Sequence, residues 1–330
     1  MRPGVSALAT AVLAGAIPGA GAAGATRPAL PPTTLPRLPP TTLQHLPPAT
    51  LPRIDAATTL LVVSPHPDDE TLCCAGVIQR VARAGGSVNV VWITSGDAER
   101  MELLLVERVL LRTPQRALRF AARRMAEARA AASLLGVPAS GQLFLGYPDG
   151  GVLSLLDDKG STPHTSRATD ASAVPYPDAL FPGHPYTRQS LVADFTAVLD
   201  RVHPSLVLAP SPQDEHPDHR AAGLLTIAVS RRRGLLRHVR YWIVHGGEGW
   251  PSPRGLMPGV PLTPAPRSRG LWPAPFDLEP SEEDTKLRAI QAYDTQMQVM
   301  APFLLAFVRS TELFSSRTTA DPAALEAGAP

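Results

Sequence analysis

Two short runs carry the side chains best suited to chemistry: His66-Pro67-Asp68-Asp69-Glu70 and, much later in the chain, His216-Pro217-Asp218-His219. Each gathers imidazoles and carboxylates within a few residues beside an apolar segment. A fold uses such runs to bring nitrogen and oxygen donors from distant segments to one metal ion. His66 and Asp69 stand three apart, so across a turn both side chains can face one spot. Two ligands from one turn and a third from elsewhere leave a tetrahedral ion one position for water. That is the arrangement of a catalytic site rather than a structural one. Cys73 and Cys74 offer no structural alternative, because adjacent cysteines in a predicted helix are poorly spaced for four-ligand zinc and argue against a structural disulfide. The pattern points to a metal-dependent hydrolase.

The runs need elements to position them. Thr59 to Ser64 is a short apolar, β-branched stretch that reads as a buried strand, and Asp69 through Val81 to Gly85-Gly86 has helical length with a glycine stop. Val207-Leu208-Ala209 reads as another strand end, and the loop after it leads through the second run into a helix over 221–229. Both runs therefore sit between the carboxyl end of a strand and the start of a helix, the edge where open α/β sheets bind ligands. One His-x-Asp turn alone is usually a cap or an Asx turn. Two turns of the same kind, each with His and Asp, favour the metal reading. With Val88 to Ile93 as a further strand, the alternation implies a Rossmann-like three-layer α/β/α fold with a mostly parallel sheet. No Gly-x-Gly-x-x-Gly loop follows the first strand, which argues against a dinucleotide-dependent oxidoreductase.

Further motifs follow in chain order: Thr94-Ser95-Gly96-Asp97, then Arg124-x-x-Glu127-x-x-x-Ala131-x-x-x-Leu135-Gly136, then Leu145-Gly146-Tyr147-Pro148-Asp149-Gly150-Gly151. With the two runs, they resemble the LmbE-like, or PIG-L-like, de-N-acetylases. The resemblance spans 57–230, with a looser echo at Lys286, Ile290, Tyr293, Gln296 and Met297. It implies a zinc hydrolase that removes acetyl groups from N-acetylglucosamine-type amino sugars. His66, Asp69 and His219 would be the metal ligands and Asp68 the general base. His216 would stabilise or protonate the reacting amide, with Asp218 orienting it. Zn2+ and Fe2+ both accept such ligands. General chemistry fits these roles: bound zinc lowers the pKa of its water toward about 7, and a carboxylate can carry the water's proton to the departing amine.

The same resemblance implies that Arg124 touches the sugar or a phosphate-bearing aglycone and that Asp149 accepts hydrogen bonds from sugar hydroxyls. The plainer readings are an arginine paired with Glu127 and an ordinary Tyr-Pro-Asp-Gly-Gly turn. Glu70, in the first turn of a helix, suits the dipole and reads as structural.

The chain has 330 residues, 44% hydrophobic and 18% charged, which allows one sizeable α/β domain with extensions. A formal net charge of +2 implies no broad polyanion-binding surface, so nucleic acid is not an expected partner. Arg231-Arg232-Arg233 reads as a solvated helix end, and Arg112 through Arg129 as the exposed face of one long helix.

At the amino terminus, Arg2, an apolar stretch from Val5 to Ile17 and small residues up to Ala25 fit a secretory signal peptide over 1–25, too short for a membrane span. Export to the periplasm or beyond is expected. The expected partner is then an envelope or extracellular amino-sugar glycoconjugate.

Residues 26–53 repeat an octad, Leu30 to Arg37, Leu38 to His45 and Leu46 to Arg53, and read as a semi-rigid polyproline spacer. The domain itself should cover 54–316, with 317–330 a disordered tail. Residues 101–111 form a short, strongly apolar predicted helix near the mouth of the site. It is a candidate lid over an apolar aglycone, a candidate contact with a membrane or the envelope, or a stripe packed on its own domain. Gly246 to Pro280 reads as a long loop on the site rim, and Ser281-x-x-Asp284 as a capping box opening a last helix through Met297.

Two other classes fit part of the pattern. A two-His, one-carboxylate iron(II) oxygenase uses the same ligands but usually on a β-sandwich, whereas this chain alternates strand with helix. A non-catalytic metal- or sugar-binding protein would have no need of Asp68 and His216.

Overall fold

The computed structural model of the protein describes residues 51–98, 113–316 and Thr318. The expected signal peptide, nearly all of the expected proline spacer, residues 101–111 and the expected tail other than Thr318 lie outside the described residues.

Five strands build one parallel sheet: β1 (Thr59–Ser64), β2 (Ser87–Thr94), β3 (Gln142–Tyr147), β4 (Leu206–Pro210) and β5 (Val239–Trp242), in the order β3-β2-β1-β4-β5. β1 is central because it is apolar on both faces. Leu60, Leu61, Val62 and Val63 are all fully buried, and each such side chain contributes about 1.5–3 kcal/mol. Val62 pairs with Val90 on one side and Leu208 on the other.

Helices cover both faces, giving the expected three layers. On one side α1 (Asp69–Arg83) and α2 (Pro114–Leu134) pack with α6 (Pro280–Gln291). On the other lie α3 (Val152–Asp157), α4 (Arg188–Val202) and α5 (Pro217–Arg232). Thr113 caps α2 by accepting from the Arg116 N–H, and Pro114 takes the first helical position, where no donor is missed. Among the described residues no helix is long and apolar enough to cross a membrane.

The carboxyl-terminal part is bolted to α1. The buried Lys286 Nζ donates to the Leu72 carbonyl (2.8 Å) and pairs with Glu312 (2.9 Å), whose carboxylate also accepts from the Gly76 N–H (2.9 Å). Gly76 has to be glycine here, since a Cβ would lie 2.7 Å from Leu278.

Three expectations change. The 246–280 stretch is not all loop: β6 (Ala274–Asp277) pairs antiparallel with β7 (Thr311–Phe314), because Ala274 and Phe314 can bury together there. The last helix opens earlier than expected, on a capping box of Glu279 and Glu282 with Pro280 at the first position. It breaks at Ala292-Tyr293 before α7 (Asp294–Leu304). Cys73 and Cys74 are joined by a disulfide. It closes a ring between neighbours and so removes little chain entropy, unlike a staple between distant segments.

Candidate active site

The connection from β1 leads to β2 on one side, and that from β4 leads to β5 on the other. The crevice at such a reversal is where open α/β sheets bind ligands, and both runs meet there. His66 Nδ1 lies 3.2 Å from Asp69 Oδ2 and 3.3 Å from His219 Nε2, and His219 Nε2 lies 3.1 Å from Asp69 Oδ2. These three atoms form a nearly equilateral triangle. A tetrahedral ion bonded at about 2.0–2.1 Å spaces its ligands by about 3.3–3.4 Å, so the triangle is one face of such a tetrahedron. Three buried nitrogen and oxygen atoms this close fit a shared cation. The nitrogen, nitrogen and oxygen set suits zinc or iron(II).

Each candidate ligand is fixed by a further contact. Asp69 Oδ2 accepts from the His66 backbone N–H (2.9 Å). The other ring nitrogen of His66, Nε2, faces Asp218 Oδ2 (3.3 Å) and Asp149 Oδ1 (3.4 Å). His219 Nδ1 faces Asp214 Oδ2 at 3.2 Å. Carboxylates behind ligand imidazoles fix their tautomer and orientation.

This geometry revises the role expected of Asp218. Its wholly buried carboxylate accepts from the Gly150 (2.7 Å) and Val152 (3.1 Å) N–H groups and backs His66. His216 is oriented instead by the Asp218 backbone: as N-cap of α5, its Nδ1 accepts the Asp218 N–H at 3.2 Å. That bond leaves Nε2 as the protonated, donating nitrogen of a neutral ring. Burial first, then the neighbouring His66, His219 and His245, push the His216 pKa down to about 2.

Asp68 lines the same pocket, with His66, Asp69, Asp149, His216 and Arg124. Burial first, then the Asp69 charge, raise its carboxyl well above the ordinary range, against the pull of Arg124. A carboxylate with heightened proton affinity is what a general base needs near neutral pH.

The motif predicts that Arg124 reaches out to substrate, and the run of arginines that it shares the exposed face of its helix. It is instead only 3% exposed. Its guanidinium donates to the Pro67 (2.8 Å) and Gly96 (3.2 Å) carbonyls and stands 3.5 Å from Asp68 Oδ2. Gly96 has φ +66°, and a Cβ there would collide with that guanidinium. Asp149, beside backing His66, accepts from the Ala98 N–H (2.9 Å). Burial tends to raise its carboxyl, but the His66 hydrogen bond and charge outweigh this and hold it below the ordinary range.

Sequence reasoning missed four contributors. His245, just past β5, lines the pocket and packs against His219 (ring centroids 4.8 Å apart) and His216 (5.2 Å). No motif marks it. Asp214 binds the His216 N–H (3.0 Å) and the Val244 (2.9 Å) and His245 (3.1 Å) N–H groups, tying the second run to the end of β5. Its place two residues before His216 was the available signal. Met300 and Phe303 of α7 form an apolar wall.

Comparison with known proteins supplies the class. Residues 61–230 match the PIG-L family, described as GlcNAc-PI de-N-acetylase, and the chain belongs to that family. Among its relatives is a 1D-myo-inositol 2-acetamido-2-deoxy-alpha-D-glucopyranoside deacetylase of Mycobacteroides abscessus, 28% identical over 236 residues, covering 70% of this chain and 73% of that protein. Another of the same description, from Rhodococcus erythropolis, is 26% identical over 302 residues, covering 83% and 92%. A solved structure of N,N'-diacetylchitobiose deacetylase from Pyrococcus horikoshii aligns over 77% of this chain and 82% of its own, with TM-score 0.48 and 20% identity.

Proposed function

We propose that the protein is a metal-dependent N-deacetylase that hydrolyses the acetamide of an amino-sugar glycoconjugate. The observation that carries this is the donor triangle of His66, Asp69 and His219 with Asp68 and His216 lining the same pocket, in a chain of the PIG-L family. Relatives described as deacetylases of a 2-acetamido-2-deoxyglucoside support the sugar class.

His66, Asp69 and His219 would hold the ion, which when bound acidifies a water and polarises the amide carbonyl. An Asp68 carboxylate oxygen takes the proton from the water as its oxygen bonds to the acyl carbon. The neutral His216 donates its Nε2–H to the carbonyl oxygen as negative charge grows there. Its backbone-fixed tautomer favours stabilising this charge over protonating the amine. Asp68 then delivers its proton to the nitrogen as the C–N bond breaks, and acetate and the free amine depart. Asp149 is placed to meet sugar hydroxyls only with whatever capacity His66 and Ala98 leave it. Arg124 acts through Asp68 rather than on an aglycone.

We further propose that zinc is the resident metal, that the amino-terminal segment exports the protein, and that its glycoconjugate belongs to the envelope or medium. The test is acetate release from a panel of N-acetylglucosaminyl glycosides and glycolipids, run beside metal analysis and oxygen uptake. Acetate release with about one metal per chain is expected. Metal-dependent oxygen uptake without acetate would move the reading to an iron(II) oxygenase, and sugar binding without turnover to a binding protein. Fusing residues 1–53 to a reporter tests export, and a reporter retained in the cytoplasm counts against it.

A further inference from the structure

We infer that Tyr293, acting through Glu70, is a positioning residue for Asp68; this rests on the reading of Asp68 as general base given above. Asp68 stands at φ 121°, ψ −34°, a backbone conformation that side-chain-bearing residues keep only where the surroundings impose it. Glu70 supplies the constraint. Its Oε2 accepts from the Asp68 backbone N–H (3.3 Å), and its carboxylate is wholly buried. That oxygen is held in turn by Trp92 Nε1 on β2 (2.8 Å) and Ser64 Oγ on β1 (3.3 Å). The other oxygen accepts from Thr71 Oγ1 (2.6 Å) and from the Tyr293 hydroxyl. A buried carboxylate with every lone pair engaged has one place to be, and it passes that rigidity to the next donor it meets.

Tyr293 comes from a part of the chain remote from both runs. It sits at the break between α6 and α7, outside the 61–230 family match, and is 1% exposed. Three residues on, the Gln296 carboxamide meets the Arg124 guanidinium, which stands 3.5 Å from Asp68 Oδ2. The carboxyl-terminal helices thus reach Asp68 twice, at its backbone through Glu70 and at its carboxylate through Arg124. The early-breaking helix that the sequence did not anticipate is what points Tyr293 at Glu70.

Tyr293→Phe keeps the ring and removes only the hydroxyl. A base displaced by a fraction of an ångström to an ångström loses about 10–100-fold in rate. The expected result is kcat down by about that factor, KM within about twofold, and bound metal unchanged at the wild-type value. Trp92→Phe, which removes the indole donor and keeps an aromatic ring against Phe144, should move kcat the same way, and it decides the matter if Tyr293→Phe does not fold. Tyr147→Phe is the matched control: its buried hydroxyl also donates to a buried carboxylate, Asp194 (2.8 Å), but in a network that does not touch Asp68. It should lower Tm while leaving kcat at the wild-type value. Wild-type kcat in Tyr293→Phe and Trp92→Phe, or a loss that only follows lost metal or lost folded protein, overturns the inference. Full turnover by Asp68→Asn would instead overturn the general-base reading itself. An inactive Asp68→Asn with unaffected Tyr293→Phe overturns the positioning role alone.

Discussion

The two turns that carry the candidate ligands look alike in sequence and differ in what holds them. In the β1–α1 turn, Asp68 caps the helix at φ 121° with no side-chain cap bond, so its carboxylate is left to the pocket. In the β4–α5 turn, His216 caps at φ −71°, an ordinary extended conformation, and its ring closes the cap on the Asp218 N–H. The third residue of each run is an aspartate, Asp68 or Asp218. One faces the pocket beside Arg124, and the other is buried behind His66, on the partner turn. The first turn is strained and presents the proposed base. The second is relaxed, presents the proposed neutral donor, and sets the Asp218 carboxylate behind His66 of the first. Backbone strain at a functional residue is stability given up for placement.

The largest effects should separate ligands from acid-base groups. Asp69→Ala and His219→Ala, one from each turn, should both lose bound metal and all turnover, measured by metal analysis after desalting and by acetate release. If either keeps a full complement of metal, the triangle does not span the two turns.

Next come the capping residues. Asp68→Asn should lower turnover by about 10²–10⁴-fold and His216→Ala by about 10²–10³-fold, both with metal retained. Equal losses of metal in these variants would erase the division of roles between the turns.

A smaller effect tests the carboxylates behind the imidazoles. Asp218→Asn and Asp214→Asn should each weaken metal affinity by about 10–100-fold, read by competition with a chelator. If Asp218→Asn disturbs turnover alone and leaves affinity intact, the carboxylate serves His216 after all.

The smallest effect is the most diagnostic of strain. In metal-free protein, Asp68→Gly should raise unfolding free energy by about 1 kcal/mol, since glycine accepts φ 121° without strain. His216→Ala should lower it by about 1 kcal/mol through the lost cap. Denaturant melts giving the same sign for both would refute the strain contrast.

Much of this was legible in the chain. Apolar β-branched runs ending in polar turns located β1 and β4, and the His and Asp spacing located the donors, because strand and helix periods are local properties. The helix break at Tyr293 was not legible, since Ala292-Tyr293 carries neither glycine nor proline. Nor was the burial of Arg124: the helix around it is rich in arginine, and only contact with the Pro67 and Gly96 carbonyls separates this one from its exposed neighbours. His245 lies after a four-residue strand with no motif to mark it.

Read along the chain alone, the residues already give two strand-to-helix turns with imidazole and carboxylate donors, a parallel sheet with its ligand edge at those turns, and a resemblance to the PIG-L family. Which carboxylate stands behind which ring, with Asp218 behind His66 rather than His216, and the reach of the carboxyl-terminal helices to Asp68 emerge in the folded chain. The difference is one of range. Donor type and element period are written into neighbouring residues, whereas the partner of a buried charge depends on which distant segment arrives to satisfy it.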